Sequence, residues 1–174
     1  TDLQREHAVE CIALAPLNDE QIDALVSSTQ VPQPLVQRIR KRAAGNPFFA
    51  EELARTSPPT IPRSIKAALQ QRMNKLDKQT RQLLDTAAVL GGSFELSEIC
   101  AMEATGREKT EMLDEDTVLS LLEEAMDAGV LSEEGVGMRI TYQFWHPMLV
   151  SYLYENISAM RRARLHRRAS EVLR

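Results

Sequence analysis

The residues able to do chemistry in this 174-residue chain are few and scattered. Its histidines are His7, His146 and His166 and its cysteines Cys11 and Cys100, with no CxxC and no Cys/His spacing that would gather ligands around a metal. No metal site is expected, and both cysteines read as buried free thiols of a reducing compartment. The glycines never supply GxxxxGK[ST], so no phosphate-cradling loop is written here, and no GxSxG-like elbow presents a nucleophile. No catalytic residue is assigned, and the chain is not expected to be an enzyme by itself. One histidine stands apart. His146 precedes Pro147 at a helix start, where the N–H groups of Met148 and Leu149 are expected to be free for an anion and the imidazole can donate a hydrogen bond. The alternative for His146 is a histidine that caps or packs.

A second stretch is Gly45-Asn46-Pro47, which opens GNPFFAEEL. Gly45 fits the position just past a helix end, where positive φ is needed, and Pro47 fits the first turn of the next helix. The tripeptide reads as a tight joint between two helices, with Phe48 and Phe49 committing the new helix to burial.

The elements around these residues follow from periodicity. Asn18 and Gln21 hold the capping-box positions of a helix whose stripe is Ile22, Leu25 and Val26, and Pro32 and Pro34 close it and open another that runs to about Arg42. The prolines at 58, 59 and 62 mark a connector, so a first domain of residues 1–57 and a second of 60–174 are expected. In the second, Ile65, Leu69, Met73 and Leu76 recur at helical spacing, then Leu83, Leu84, Ala87 and Ala88 up to Gly91-Gly92. A short helix over Leu96 to Ala104 and a longer one over Thr117 to Ala128 come next. The period then falls to 2: Val130 to Glu133, a turn over Glu134 to Gly137, and Met138 to Phe144 predict a β-hairpin. Two helices, broken near Asn156 to Ser158, complete the chain. The class expected is mainly α, a helical segment followed by a winged-helix domain with one small hairpin.

The totals fit a globular protein: 43% apolar, 26% charged, net charge −4 and only 5% aromatic. No apolar run reaches the roughly 18 residues of a membrane span, and no signal-peptide pattern opens the chain, so a cytoplasmic protein is expected. A winged helix suggests DNA, but the helix before the hairpin carries Glu123, Glu124 and Asp127 with no Lys or Arg, and Asp114, Glu115 and Asp116 precede it. Phosphate contacts supply most DNA affinity, so this charge argues against that use. The basic cluster of Arg161, Arg162, Arg164, Arg167 and Arg168 with His166 reads as a solvated helix face, with contact to a protein or nucleotide as its alternative.

Three segments together, GNPFFAEEL, IPRSIKAALQQRMNKLDKQTRQLLDTAAVLGGSF and FWHPMLVSYLYENISAMRRARLHRRASEVL, resemble the lid and winged-helix region of signal-transduction ATPases with numerous domains, the STAND group. The likeness covers nearly the whole chain in order and is closest to the bacterial branch in large LuxR-type regulators and adenylate-cyclase-associated ATPases. It implies a helical lid, then a winged helix, excised from a longer protein whose P-loop core precedes it and whose helical repeats follow. The segment around Ile12, Leu14 and Leu17 would be the end of the core's last strand. By resemblance Gly45, Asn46 and Pro47 line the adenine pocket, Phe48, Phe49 and Leu53 anchor the joint, and His146 contacts the β-phosphate of ADP in a closed resting state. ATP or ADP would belong to the full-length parent, with none bound tightly by this fragment. Its partners would be the ATPase core and helical repeats of the same protein, with homo-oligomers of the parent possible and neither DNA nor membrane bound through this region. The alternatives are a DNA-binding winged-helix regulator and a protein-interaction scaffold.

Overall fold

The computed structural model describes residues 14–27, 29, 31–56, 60–105, 113–136 and 139–173. The chain divides into two compact units, Thr1–Ala54 and Arg55–Arg174. The class is the one expected, mainly α with a small antiparallel sheet.

In the first unit no strand forms over 14–18, and Leu14 is 89% exposed; Ile12 and Cys11 lie outside the described residues. Helix α1 (Asp19–Ser27) opens with the capping box: the Asn18 side chain accepts from the Gln21 N–H and the Gln21 side chain from the Asn18 N–H, both at 2.9 Å. Helix α2 (Gln33–Ala43) packs against α1, with Ile22, Val26, Val36 and Ile39 buried. Arg40 reaches across to Asp23 in a two-pronged ion pair, with Asp19 close by. Helix α3 (Pro47–Arg55) buries Phe49, Ala50 and Leu53 but leaves Phe48 45% exposed. The expectation that both phenylalanines are buried fails because Phe49, Leu53 and Ala50 already span about 100° of the helix, and Phe48 points about 100° beyond that face.

The second unit is built around α5 (Lys78–Leu90), which packs against α6 (Leu96–Ala104), α7 (Glu115–Asp127), α8 (Pro147–Asn156), α9 (Ala159–Val172) and strand β1 (Ser93–Glu95). Helix α4 (Arg63–Met73) precedes it and meets α8. The sheet order is β1-β3-β2, with β2 Leu131–Val136 and β3 Arg139–Phe144 forming the hairpin. Helix, strand, two helices and a hairpin in this order are the layout of a winged helix. Phe94, Tyr142 and Phe144 on the inner face of the sheet stack or tilt against one another at 5.9–6.3 Å.

Two features depart from the pattern read in the sequence. Glu134 to Val136, expected in a turn, belong to the ladder instead: pairing continues to Val136 opposite Arg139, and Gly135 pairs with Ile140 at a φ of 134°, while Gly137 and Met138 lie outside the described residues. And β1 is a third strand, with Phe94 opposite Tyr142, where only a helix stop was expected.

Among the described residues, the buried polar side chains of this unit are paired. Thr80 and Thr86 on α5 are buried. The Thr80 hydroxyl donates to Glu124 of α7, whose other oxygen accepts from the Asp77 N–H at 2.9 Å, and the Thr86 hydroxyl donates to buried Glu103 of α6 at 2.9 Å. Arg72 of α4 donates to the carbonyl of Gly129 at 2.8 Å and lies over the Trp145 ring, 4.2 Å from its centre. Arg161 of α9 meets Asp85 of α5 at 3.5 Å, yet burial still raises the Asp85 carboxyl above its ordinary value, against the lowering pull of Arg161. That ion pair therefore fixes the place of α9 more than it adds stability. Among the described residues no helix is long and apolar enough to cross a membrane.

Replacing Glu124 by Ala removes the acceptor of both Thr80 and Asp77, and is expected to cost about 1.5–3 kcal/mol in a denaturant titration. Glu123→Ala, one position earlier and exposed, is expected to change stability by less than about 0.5 kcal/mol.

Candidate functional site

The joint at Gly45 is tighter than its sequence announces. Helix α2 ends in left-handed backbone at Ala44 (φ 45°), and Gly45 continues it at φ 80°. The Ala44 N–H returns to the Arg40 carbonyl at 3.0 Å and the Asn46 N–H to Ala43 at 2.8 Å, which closes the last turn. Asn46 then starts α3: its side-chain oxygen accepts from the Phe49 N–H at 3.2 Å and its carbonyl from Ala50 at 3.0 Å. Gly45 is needed for a second reason. Its carbonyl accepts from the Leu17 N–H at 2.9 Å, and a Cβ added to it would stand 2.5 Å from the Pro16 Cβ and 2.9 Å from the Leu17 carbonyl oxygen. The close approach that glycine permits here is therefore taken by the chain's own residues 16–17. Pro47 and Phe48 next to it are exposed.

His146 lies in the other unit, at the junction of β3 and α8. It is 4% exposed, and its Nδ1 accepts from the Met148 N–H at 3.1 Å, while its own carbonyl accepts from Leu149 at 2.9 Å. This corrects the expectation that those two N–H groups are free for an anion: the histidine fills the helix N-terminus itself, as an N-cap. A neutral ring that accepts at Nδ1 carries its proton at Nε2, so the tautomer is set by the cap. Trp145, held by Arg72, lies 5.5 Å from the His146 ring, centre to centre, and is 44% exposed.

The basic cluster on α9 is divided between two faces. Arg161, Arg164 and Arg168 line a groove of about 240 Å³ with Gln82, Thr86 and Glu103, while Arg162 lies over the Tyr154 ring at 4.8 Å and donates to the Tyr154 carbonyl at 3.4 Å. The acidic partner in that groove, Glu103, was not legible in the sequence, since an acid of α6 has no periodic relation to arginines on α9. No group of His, Cys, Asp or Glu among the described residues could hold a metal ion. Cys100 is a free, half-buried thiol whose pKa burial raises, with Glu115 and Glu103 adding to the effect, so it is a poor nucleophile.

Comparison with known proteins finds no matching family model, no matching curated protein and no matching solved structure.

Gly45→Ala places a side chain at positive φ and against Pro16, and is expected to cost about 1–3 kcal/mol, read as an about 5- to 150-fold rise in amide hydrogen exchange across α2 and α3. Ala44→Gly, which relieves the neighbouring left-handed residue, is expected to leave exchange unchanged or to lower it.

Proposed function

We propose that this chain is the lid and winged-helix region of a STAND-type ATPase, a regulatory module that grips a nucleotide in a resting state and releases its hold on activation. The observation that carries the reading is the His146 ring at the β3–α8 junction, whose cap fixes a donor on Nε2. A tight helix-to-helix joint in the first unit and a helix–strand–helix–helix–hairpin order in the second support it.

The residues of the two units fit a nucleotide unequally. Gly45 does not offer its α-carbon to a base, because Pro16 and Leu17 occupy that space. Pro47 and Phe48 do fit, being exposed and apolar, and Asn46 serves them by capping the helix they stand on. His146 is buried and its Nδ1 is engaged by the Met148 N–H, so under this reading it would meet a phosphate oxygen through Nε2, without help from the helix N–H groups and only where the surroundings that bury the ring open toward the nucleotide. Bound ADP or ATP supplies the phosphate charge and the exchange of states; the P-loop that would hold most of it belongs to the ATPase core that this reading requires. His146 therefore acts by differential affinity. A bond made in only one of two states shifts their ratio, whereas one made equally in both shifts nothing.

The capping role dictates the substitution. His146→Ala removes the cap as well as the donor, whereas His146→Asn keeps an N-cap acceptor while its shorter side-chain amide no longer places a donor at the position of Nε2. In the protein carrying the ATPase core, His146→Asn is expected to speed ADP dissociation by about 10- to 150-fold, the loss of a charge-assisted hydrogen bond, with unfolding unchanged. Equal dissociation rates would leave His146 as a structural cap.

A winged helix that reads DNA would present α7 to the major groove. Here the exposed positions of α7 are Glu115, Asp116, Ser120, Glu123 and Asp127, and the first turn is acidic. That face repels phosphate. Gel-shift titration at about 0.15 M salt is expected to show no duplex binding; a tight complex lost on neutralising Arg161, Arg162 and Arg164 would favour the DNA-binding alternative.

A further inference from the structure

We propose that the groove between α5, α6 and α9 is a binding site for a small phosphate-bearing ligand, one that carries a hydroxyl on the phosphorus or on the carbons next to it. Its rim is basic. Arg161, Arg164 and Arg168 stand three and four residues apart, so α9 presents all three along one side, with buried Leu165 between them. Its floor is acidic: Glu103 of α6 is 3% exposed and accepts from buried Thr86 of α5, one turn after Gln82.

The charges do not cancel within the protein. Arg161 is drawn to Asp85 at 3.5 Å, and the Glu103 carboxylate answers for one more cation. Three guanidinium groups against two carboxylates leave one positive charge over, and Arg164, exposed on the rim, has no ion-pair partner among the described residues. Like charges at this helical spacing repel, and an anion held between them offsets that repulsion. A guanidinium fork matches the oxygens of a phosphate.

Glu103 decides which anion is taken. A carboxylate accepts hydrogen bonds and gives none, and with about four lone-pair sites it can accept from a ligand in addition to Thr86. Sulfate, fully deprotonated, meets it only with repulsion, whereas hydrogen phosphate donates its P–O–H and a phosphorylated polyol donates a neighbouring hydroxyl. The groove, at about 240 Å³, lies below the roughly 300–1,000 Å³ of sites that enclose drug-sized ligands, so it suits a compact ester rather than a whole nucleotide. None of its residues takes part in the nucleotide reading above, and the inference does not depend on that reading.

The test is isothermal titration calorimetry of the 174-residue chain with sodium phosphate, sodium sulfate and glycerol 1-phosphate. Phosphate and glycerol phosphate are expected to bind at least about tenfold more tightly than sulfate, the difference of one hydrogen bond made or lost on Glu103. The tighter of the two identifies the source, inorganic or esterified. Glu103→Gln retains an acceptor for Thr86 and adds an amide donor, so it is expected to abolish the preference by improving sulfate. Arg164→Gln is expected to weaken phosphate about tenfold, whereas Arg167→Gln, exposed on the same helix outside the groove, leaves it unchanged. Should Glu103→Gln unfold by circular dichroism, the sulfate comparison on wild type and the two arginine variants decide. No phosphate binding up to about 10 mM, sulfate bound as well as phosphate, a preference that survives Glu103→Gln, or an Arg164→Gln variant that binds like wild type would each overturn the proposal.

Discussion

The winged-helix unit depends on one constraint: α5 is covered on several sides at once, and two of its inward residues are threonines. A hydroxyl taken from water with no partner costs about 1–3 kcal/mol, so each must be answered by a neighbour. Thr80 is answered by Glu124 of α7 and Thr86 by Glu103 of α6. Apolar contacts along Leu83, Leu84, Ala87 and Ala88 would tolerate a helix sliding by part of a turn. A carboxylate that must meet one particular hydroxyl does not. The two pairs thus set where α6 and α7 stand, and through them where β1 and the hairpin begin. Glu124 also ties the start of α5 through the Asp77 N–H, so that one acid of α7 serves two elements.

Helical stripes were legible because they repeat. Ile65, Leu69 and Met73, or Val118, Leu121, Leu122 and Ala125, reappear in the structure as buried faces, and Asn18 with Gln21 closes the cap its spacing announced. Strand β1 was not legible, because Ser93 to Glu95 is too short to show a period of 2 and its one buried residue, Phe94, carries no signal of its partner Tyr142. The turn was misplaced for a related reason. Gly135 has the composition of a turn, yet it keeps its pairing with Ile140 inside the ladder. Pairings such as Thr86 with Glu103 join residues with no common periodicity, so only the folded chain reveals them.

The two candidate sites were legible to different degrees. The joint was read correctly as a Gly stop and a Pro start, but the sequence is silent on Pro16, whose contact explains why the backbone at Gly45 has room for nothing larger than hydrogen. It is silent too on Ala44, which adopts left-handed backbone although it bears a Cβ. At His146 the sequence located the helix start and misjudged its donors. A helix N-terminus invites an anion only where its N–H groups lack protein acceptors, and here the side chain of the residue itself is the acceptor.

That substitution of a histidine for the usual capping residue carries physical content. Asp at this position would cap α8 well, yet it would place a full charge where the side chain is buried. A serine hydroxyl that accepts from the helix could still donate, but from the same oxygen and along a direction tied to the cap. The imidazole separates the two tasks on a rigid ring, accepting from Met148 at Nδ1 and placing its donor at Nε2 on the other edge. The cap thereby orients the donor and determines which nitrogen holds the proton. Arg72, stacked on Trp145 and bonded to Gly129, holds the residue next to it and ties the end of β3 to α4 and to the turn after α7. A ring so constrained keeps one rotamer and one tautomer, and its orientation is tied to the end of β3 and the start of α8.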